Sequence, residues 1–169
     1  MEKIKQVLPF LQQGVDQIGY VVKSVEETAK QYYQLFGIGD WHFYTYGKPL
    51  LSVMKRYGEP TEYKMYIALS YFGSMRIELI EHLEGDTVYL DFIKKHGYGV
   101  QHLGFLVDDM ASSLDLVRQA NISITMEGGG HGPDNDGYFA YLDTEDLVGT
   151  TIELIERPQR RHPPQKVYP

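Results

Sequence analysis

The residues best placed to do chemistry are two glutamates inside otherwise apolar, strand-like runs. The pentapeptide IELIE occurs at Ile77–Glu81 and again at Ile152–Glu156. Side chains alternate along a strand, so packing Ile77 and Leu79 on one face turns Glu78 to the other, and Glu153 follows in the second copy. Two further polar residues repeat in the same way, Gln17 in QIGYVV and His102 in HLGFLV. A buried carboxylate without a partner is costly, and two facing each other are more so. A divalent cation resolves that cost. Carboxylates, an amide oxygen and an imidazole suit zinc, cobalt, nickel, manganese or iron in five- or six-coordination. Gln17, Glu78, His102 and Glu153 are therefore the candidate metal ligands.

The elements that must position them form an internal duplication. QIGYVV is followed by a helix pattern over SVEETAKQYYQLFGIG, with Ser24 as N-cap, Glu27 completing a capping box and Gly37 as the stop. Strand patterns follow at WHFYTYG, YKMYIALSYF and MRIELIEHL. The order βαβββ recurs from Val100: HLGFLV, a helix capped by Asp109 and ended by Asn121, then ISITME, GYFAYLDT and TTIELIE. The first strands lie 85 positions apart and the closing strands 75, so the first half carries the longer loop, around residues 47–62. The predicted organisation is a preface at 1–14, a first module at 15–84, a helical linker at 85–99, a second module at 100–157 and a proline-rich basic tail at 158–169, read as an extended arm or frayed end. With helices covering one face of each four-stranded unit, the other faces must meet as a concave mixed sheet around the metal site, an α+β fold.

Composition narrows the function classes. A net charge of −7 disfavours nucleic acid and anionic membrane surfaces as partners. The absence of cysteine rules out disulfides, thiolate metal sites and a cysteine nucleophile. No signal-peptide or membrane-span pattern is present, and the reading is a soluble cytoplasmic protein. Fourteen tyrosines and seven phenylalanines point to an aromatic core, a dimer contact or an aromatic-lined pocket. Tyr20, Trp41, Phe43, Tyr66, Phe105 and Tyr138 are the cavity candidates.

QIGYVVKSVEETAKQYYQLFGIG, GVQHLGFLVDD and FAYLDTEDLVGTTIELIE, with the duplicated architecture, resemble the glyoxalase/bleomycin-resistance/dioxygenase superfamily, the vicinal oxygen chelate fold. The resemblance spans about residues 15–157 and implies a metal held by Gln17, Glu78, His102 and Glu153. The segment IELIEHLEGDTVYLDFIKKHGYGVQHLGFLVDD is similar to methylmalonyl-CoA epimerases. It implies epimerisation or isomerisation by proton abstraction beside a carbonyl, with Glu153 as ligand and base, a homodimer, and an acyl-CoA or thiol adduct as substrate.

The same resemblance aligns Tyr66 with a second catalytic glutamate of those epimerases, and Glu59 and Glu62 are the nearest acids upstream. A tyrosine with a pKa near 10 is a poor base, so a lactoylglutathione lyase (glyoxalase I)-like isomerase is the runner-up. Ring-cleaving dioxygenases usually use two histidines and a carboxylate, and drug-binding relatives lack the ligands. His82 and His131 are further candidates for substrate contact, and GGGHGPDND reads as a flexible hairpin over the pocket mouth.

Overall fold

The computed structural model describes residues 8–169. Of the preface at 1–14, a 3-10 turn spans Pro9–Gln13, and residues 1–7 lie outside the described residues. The first module runs β1 (Gln17–Val21), α1 (Val25–Phe36), β2 (Trp41–Tyr46), a hairpin of β3 (Val53–Arg56) and β4 (Glu59–Pro60), β5 (Tyr63–Phe72) and β6 (Met75–Gly85). The linker helix α2 spans Val88–His96. The second module runs β7 (Gly99–Leu106), α3 (Met110–Gln119), β8 (Ile124–Gly129), β9 (Tyr138–Leu142), α4 (Glu145–Val148) and β10 (Thr151–Glu156), and the tail adds β11 (Lys166–Tyr168). Among the described residues no helix is long and apolar enough to cross a membrane.

All strands join one mixed sheet in the order β11-β2-β5-β6-β1-β7-β10-β9-β8-β3-β4. Each module has its first and last strands parallel and adjacent, and the modules meet where β1 and β7 pair antiparallel. Two connections depart from a simple tandem. The long loop of the first module folds into the β3–β4 hairpin, and β3 pairs with β8 of the second module. The tail is no frayed end, because Lys166–Tyr168 pairs antiparallel with β2. The hairpin thus covers the β8 edge and the tail covers the β2 edge, leaving the short β4 and β11 as the outer strands of the sheet.

The helices start and stop where their caps dictate. Ser24 Oγ accepts the Glu27 amide proton, and Gly37 ends α1 in the left-handed conformation. Val25 and Ala29 of α1 pack on Trp41, Phe43, Ala68, Ile77 and Leu79. Met110, Leu114 and Val117 of α3 pack on Phe105, Ala140, Leu142, Ile152 and Leu154. Covering these faces sends Glu78, Ile80, Glu153 and Ile155 to the concave side. That side is filled by Tyr44, Tyr46, Tyr63, Met65, Ile67, Leu69, Met126, Phe139 and Tyr141, with Val88 and Tyr89 of α2 packed among them.

The concave aromatics are therefore not the six expected from sequence. Trp41, Phe43, Tyr20 and Tyr66 lie on the α1 side, and Phe105 and Tyr138 lie on the α3 side. In WHFYTY both alternations carry aromatics, so pattern alone does not say which set faces inward. Tyr89 and Tyr141 are fully buried, and their hydroxyls stand 2.8 Å apart, each satisfying the other. Replacing Tyr89 with Phe leaves the Tyr141 hydroxyl unpaired and is expected to cost about 1–3 kcal/mol. The Tyr89→Phe/Tyr141→Phe pair should cost less than the sum of the single changes in urea unfolding.

Candidate metal centre

The site is built by strand register across β6, β1, β7 and β10. One row runs Glu78, Gly19, His102, since Gly19 pairs with Glu78 on one side and His102 on the other. The next row runs Arg76, Gln17, Gly104, Glu153. Each row thus places a glycine beside a ligand-bearing residue of the opposite module. A Cβ at Gly19 would overlap the His102 ring, and one at Gly104 would stand 2.9 Å from Gln17 Cβ and 3.1 Å from Glu153 Oε2. The two glycines leave the room in which side chains from both modules converge.

The structure brings all four sequence-predicted ligands together. Gln17 and His102 are at most 1% exposed, Glu153 3% and Glu78 9%. The ligand atoms of Glu78, His102 and Glu153 all lie within 4.8 Å of one another. His102 Nε2 lies 3.0 Å from Glu153 Oε2 and 3.5 Å from Glu78 Oε2, separations that one ion with ligand bonds of roughly 2.0–2.2 Å can span. The innermost cavity, lined in part by Gln17, Glu78 and Glu153, has about 20 Å³ of space. That is room for a single water-sized occupant. Two carboxylates and an imidazole so arranged fit a divalent cation.

Hydrogen bonds hold the cluster. Gln17 Nε2 donates to Glu78 Oε2 and Glu153 Oε2, each at 2.9 Å. His102 Nε2 lies 3.0 Å from Glu153 Oε2 and 3.5 Å from Glu78 Oε2. On the other side of the ring, His102 Nδ1 lies 2.7 Å from Gln101 Oε1. A proton donated there orients the imidazole and leaves Nε2 facing the carboxylates. Burial opposes charging of His102, but Glu153 and Glu78 outweigh it and raise its pKa to about 9. Gln17 differs from the expectation in one respect. Its oxygen accepts from Arg76 Nε at 2.5 Å, so its amide nitrogen, not its oxygen, points at the cluster.

Tyr66 does not join the site. It lies on the α1 side of β5, where its hydroxyl donates to Glu26 and its ring packs on Phe43. Its neighbours Met65, Ile67 and Leu69 face the concave side, so that wall of the site is apolar. Of the upstream acids, Glu59 is exposed on the hairpin, and the exposed Glu62 pairs with Lys48. The strand register thus offers no acid at the position where the resemblance places a second catalytic glutamate.

His82 is committed to the Thr87 hydroxyl at the start of α2. His131 does line the innermost cavity, stacked near Tyr46 and Phe139. Burial first, then Arg161 and Arg76, lower its pKa to about 4. It is therefore neutral near pH 7.

Three arginines missed in the sequence complete the cavity mouth: Arg76, Arg157 and Arg161. Arg76 was within reach of the pattern, because it sits two residues before Glu78 on the same strand face. Arg157 and Arg161 lie in the aperiodic tail, where alternation gives no direction.

A profile of the Glyoxalase/Bleomycin resistance protein/Dioxygenase superfamily matches residues 16–141. The chain is 24% identical over 148 residues to the uncharacterized protein YqjC of Bacillus subtilis (strain 168), covering 88% of this chain and 95% of that protein. Its fold is similar to a Streptomyces coelicolor methylmalonyl-CoA epimerase solved with 2-nitronate-propionyl-CoA, with a TM-score of 0.62, 18% identity and coverage of 89% and 98%. The Mycobacterium tuberculosis methylmalonyl-CoA epimerase gives a TM-score of 0.59, 20% identity and 93% coverage of each chain.

Two outcomes test this geometry. Gly19→Ala is expected to destabilise the protein by about 1–3 kcal/mol through overpacking against His102. In a His102→Ala background the penalty should vanish in urea unfolding. His131 has a folded pKa near 4 against 6.5 for the ordinary side chain. Its contribution is therefore present above pH 6.5 and lost as pH falls towards 4, by about 3 kcal/mol at most. Chemical denaturation at stepped pH should show that slope in the native protein and a shallower one in His131→Asn.

Proposed function

Because the chain belongs to the glyoxalase/bleomycin resistance protein/dioxygenase superfamily, we propose that it is a metal-dependent enzyme that epimerises or isomerises its substrate by removing a proton beside a carbonyl. The leading substrate is an acyl-CoA of the methylmalonyl type. The observation that carries this reading is the buried cluster of Glu78, His102 and Glu153, closed in from both modules. A divalent ion bound there, whether zinc, cobalt, nickel, manganese or iron, would supply Lewis acidity to the substrate carbonyl.

The remaining chemistry belongs to the chain's own side chains. Glu153 is the proposed base. Its Oε2 is oriented by the Gln17 amide and His102. Glu78 holds the matching place in the other module and is the natural group to return a proton from the opposite side. Gln17, turned so that its oxygen faces inward, would complete a four-ligand set. The likeness to epimerases solved with acyl-CoA ligands supports the substrate class.

The apolar wall of Met65, Ile67 and Leu69 favours a second reading, isomerisation of a hemithioacetal, because it withholds a third carboxylate from the site. The two are separated by solvent deuterium exchange, followed by mass spectrometry, into methylmalonyl-CoA and into the methylglyoxal–glutathione adduct. Metal-loaded protein is expected to hold about one ion per chain and to label one of these substrates. Glu153→Gln should lower labelling by roughly 10²-fold or more. Undiminished labelling in that variant would sink the base assignment, and failure to hold any of the five metals would sink the reading as a whole.

A further inference from the structure

The chain has six arginines. Three are paired with carboxylates: Arg56 with Asp86 and Asp91, Arg118 with Asp115, and Arg160 with Asp134. Arg76, Arg157 and Arg161 form no ion pair among the described residues, and all three line the innermost cavity. Three guanidinium groups without an ion pair gather at one cavity mouth beside Glu78 and Glu153, in a chain of net charge −7, and such a cluster favours an anion.

Arg76 is the most constrained of them. It is 5% exposed, and its Nε is engaged by Gln17. Its Nη1 is buried without any hydrogen-bond partner. An unsatisfied buried guanidinium edge is costly, and a carboxylate or phosphate is the group whose geometry matches it. Leu69, Arg76 and Arg161 also line a neighbouring cleft of about 410 Å³, with Asp40, His42, Tyr44 and Tyr71. Arg76 and Arg161 therefore stand on the partition between that cleft and the metal cavity. The Gln17 amide bridges the Arg76 guanidinium to Glu78 and Glu153 by hydrogen bonds.

We propose that Arg76 and Arg161, backed by Arg157, bind a carboxylate carried by the substrate itself, a few bonds from the carbon that loses its proton. This rests on the proton-abstraction reading and narrows it to acids of the malonyl type, whose acidic carbon lies between a carboxylate and a second carbonyl. The oxyanion is held apart from the ligand cluster, so orientation of the substrate comes from the arginines.

The test is calorimetric titration of malonate, acetate and inorganic phosphate into the full chain, metal-free and metal-loaded, for the native protein and for Arg161→Gln and Arg157→Gln. Both substituted residues are exposed, which spares the fold. Malonate affinity is expected to fall about tenfold or more in Arg161→Gln, the effect of losing one charge-assisted hydrogen bond. In the metal-loaded arm acetate should change less than about twofold, since one carboxylate can be met by the metal alone. Malonate binding unchanged by both substitutions would overturn the proposal. So would phosphate binding that is tighter than malonate and equally dependent on the arginines, since it would reassign the site to a phosphate group. Loss of malonate affinity in the metal-free arm sustains the subsite even if no metal binds, so it can stand or fall apart from the metal reading.

Discussion

The pairing of β1 with β7 is the constraint on which the rest depends. It sets Gly19 opposite His102 and Gln17 opposite Gly104, so each module lends a gap to the other's ligand. A slip of one residue would turn every inward group outward and set Ile18 and Leu103 where the polar cluster stands. Register is held by what lies on the far face. Ile77 and Leu79 under α1, and Ile152 and Leu154 under α3, are apolar positions that water would punish if they faced the cavity. The buried polar centre is therefore maintained by ordinary hydrophobic packing on the other side of the same strands.

Much of this was legible in the sequence. The duplicated IELIE and the matched strand starts identified the four residues that converge, because a period of two and an internal repeat are both local signals. Ser24, Gly37 and Asp109 marked helix ends for the same reason. Strand face was less legible where both alternations looked alike. WHFYTY offers aromatics on either face, and Tyr66 falls on the α1 side of a strand whose inward residues are apolar. Long-range pairing was not legible at all. Nothing in residues 47–62 announces that β3 will pair with β8, and nothing in RPQRRHPPQKVYP announces a strand against β2.

The two modules have diverged at one corresponding place. Arg76 precedes the first IELIE and Thr151 the second, and each pairs with the ligand-bearing strand start of its own module, Gln17 and His102 respectively. His102 has its ring oriented by the adjacent Gln101, whereas Gln17 has its amide oriented by Arg76. The repeat puts a ligand at matching positions in both modules and differs in what holds it. That asymmetry sets an arginine beside the ligand of one module and a neutral glutamine beside the ligand of the other.

The exchange of edge strands bears on how the molecule assembles. The β3–β4 hairpin leaves the first module to border the second, and β11 leaves the second to border the first. Neither module can be cut away without stripping an edge from the other. Such interlocking raises the sequence separation of native contacts and so favours slow, concerted folding over the docking of two preformed lobes. Arg157 and Arg161 reach the cavity mouth on the stretch leading to β11, so the strand that closes the β2 edge also carries two of the three arginines at the mouth.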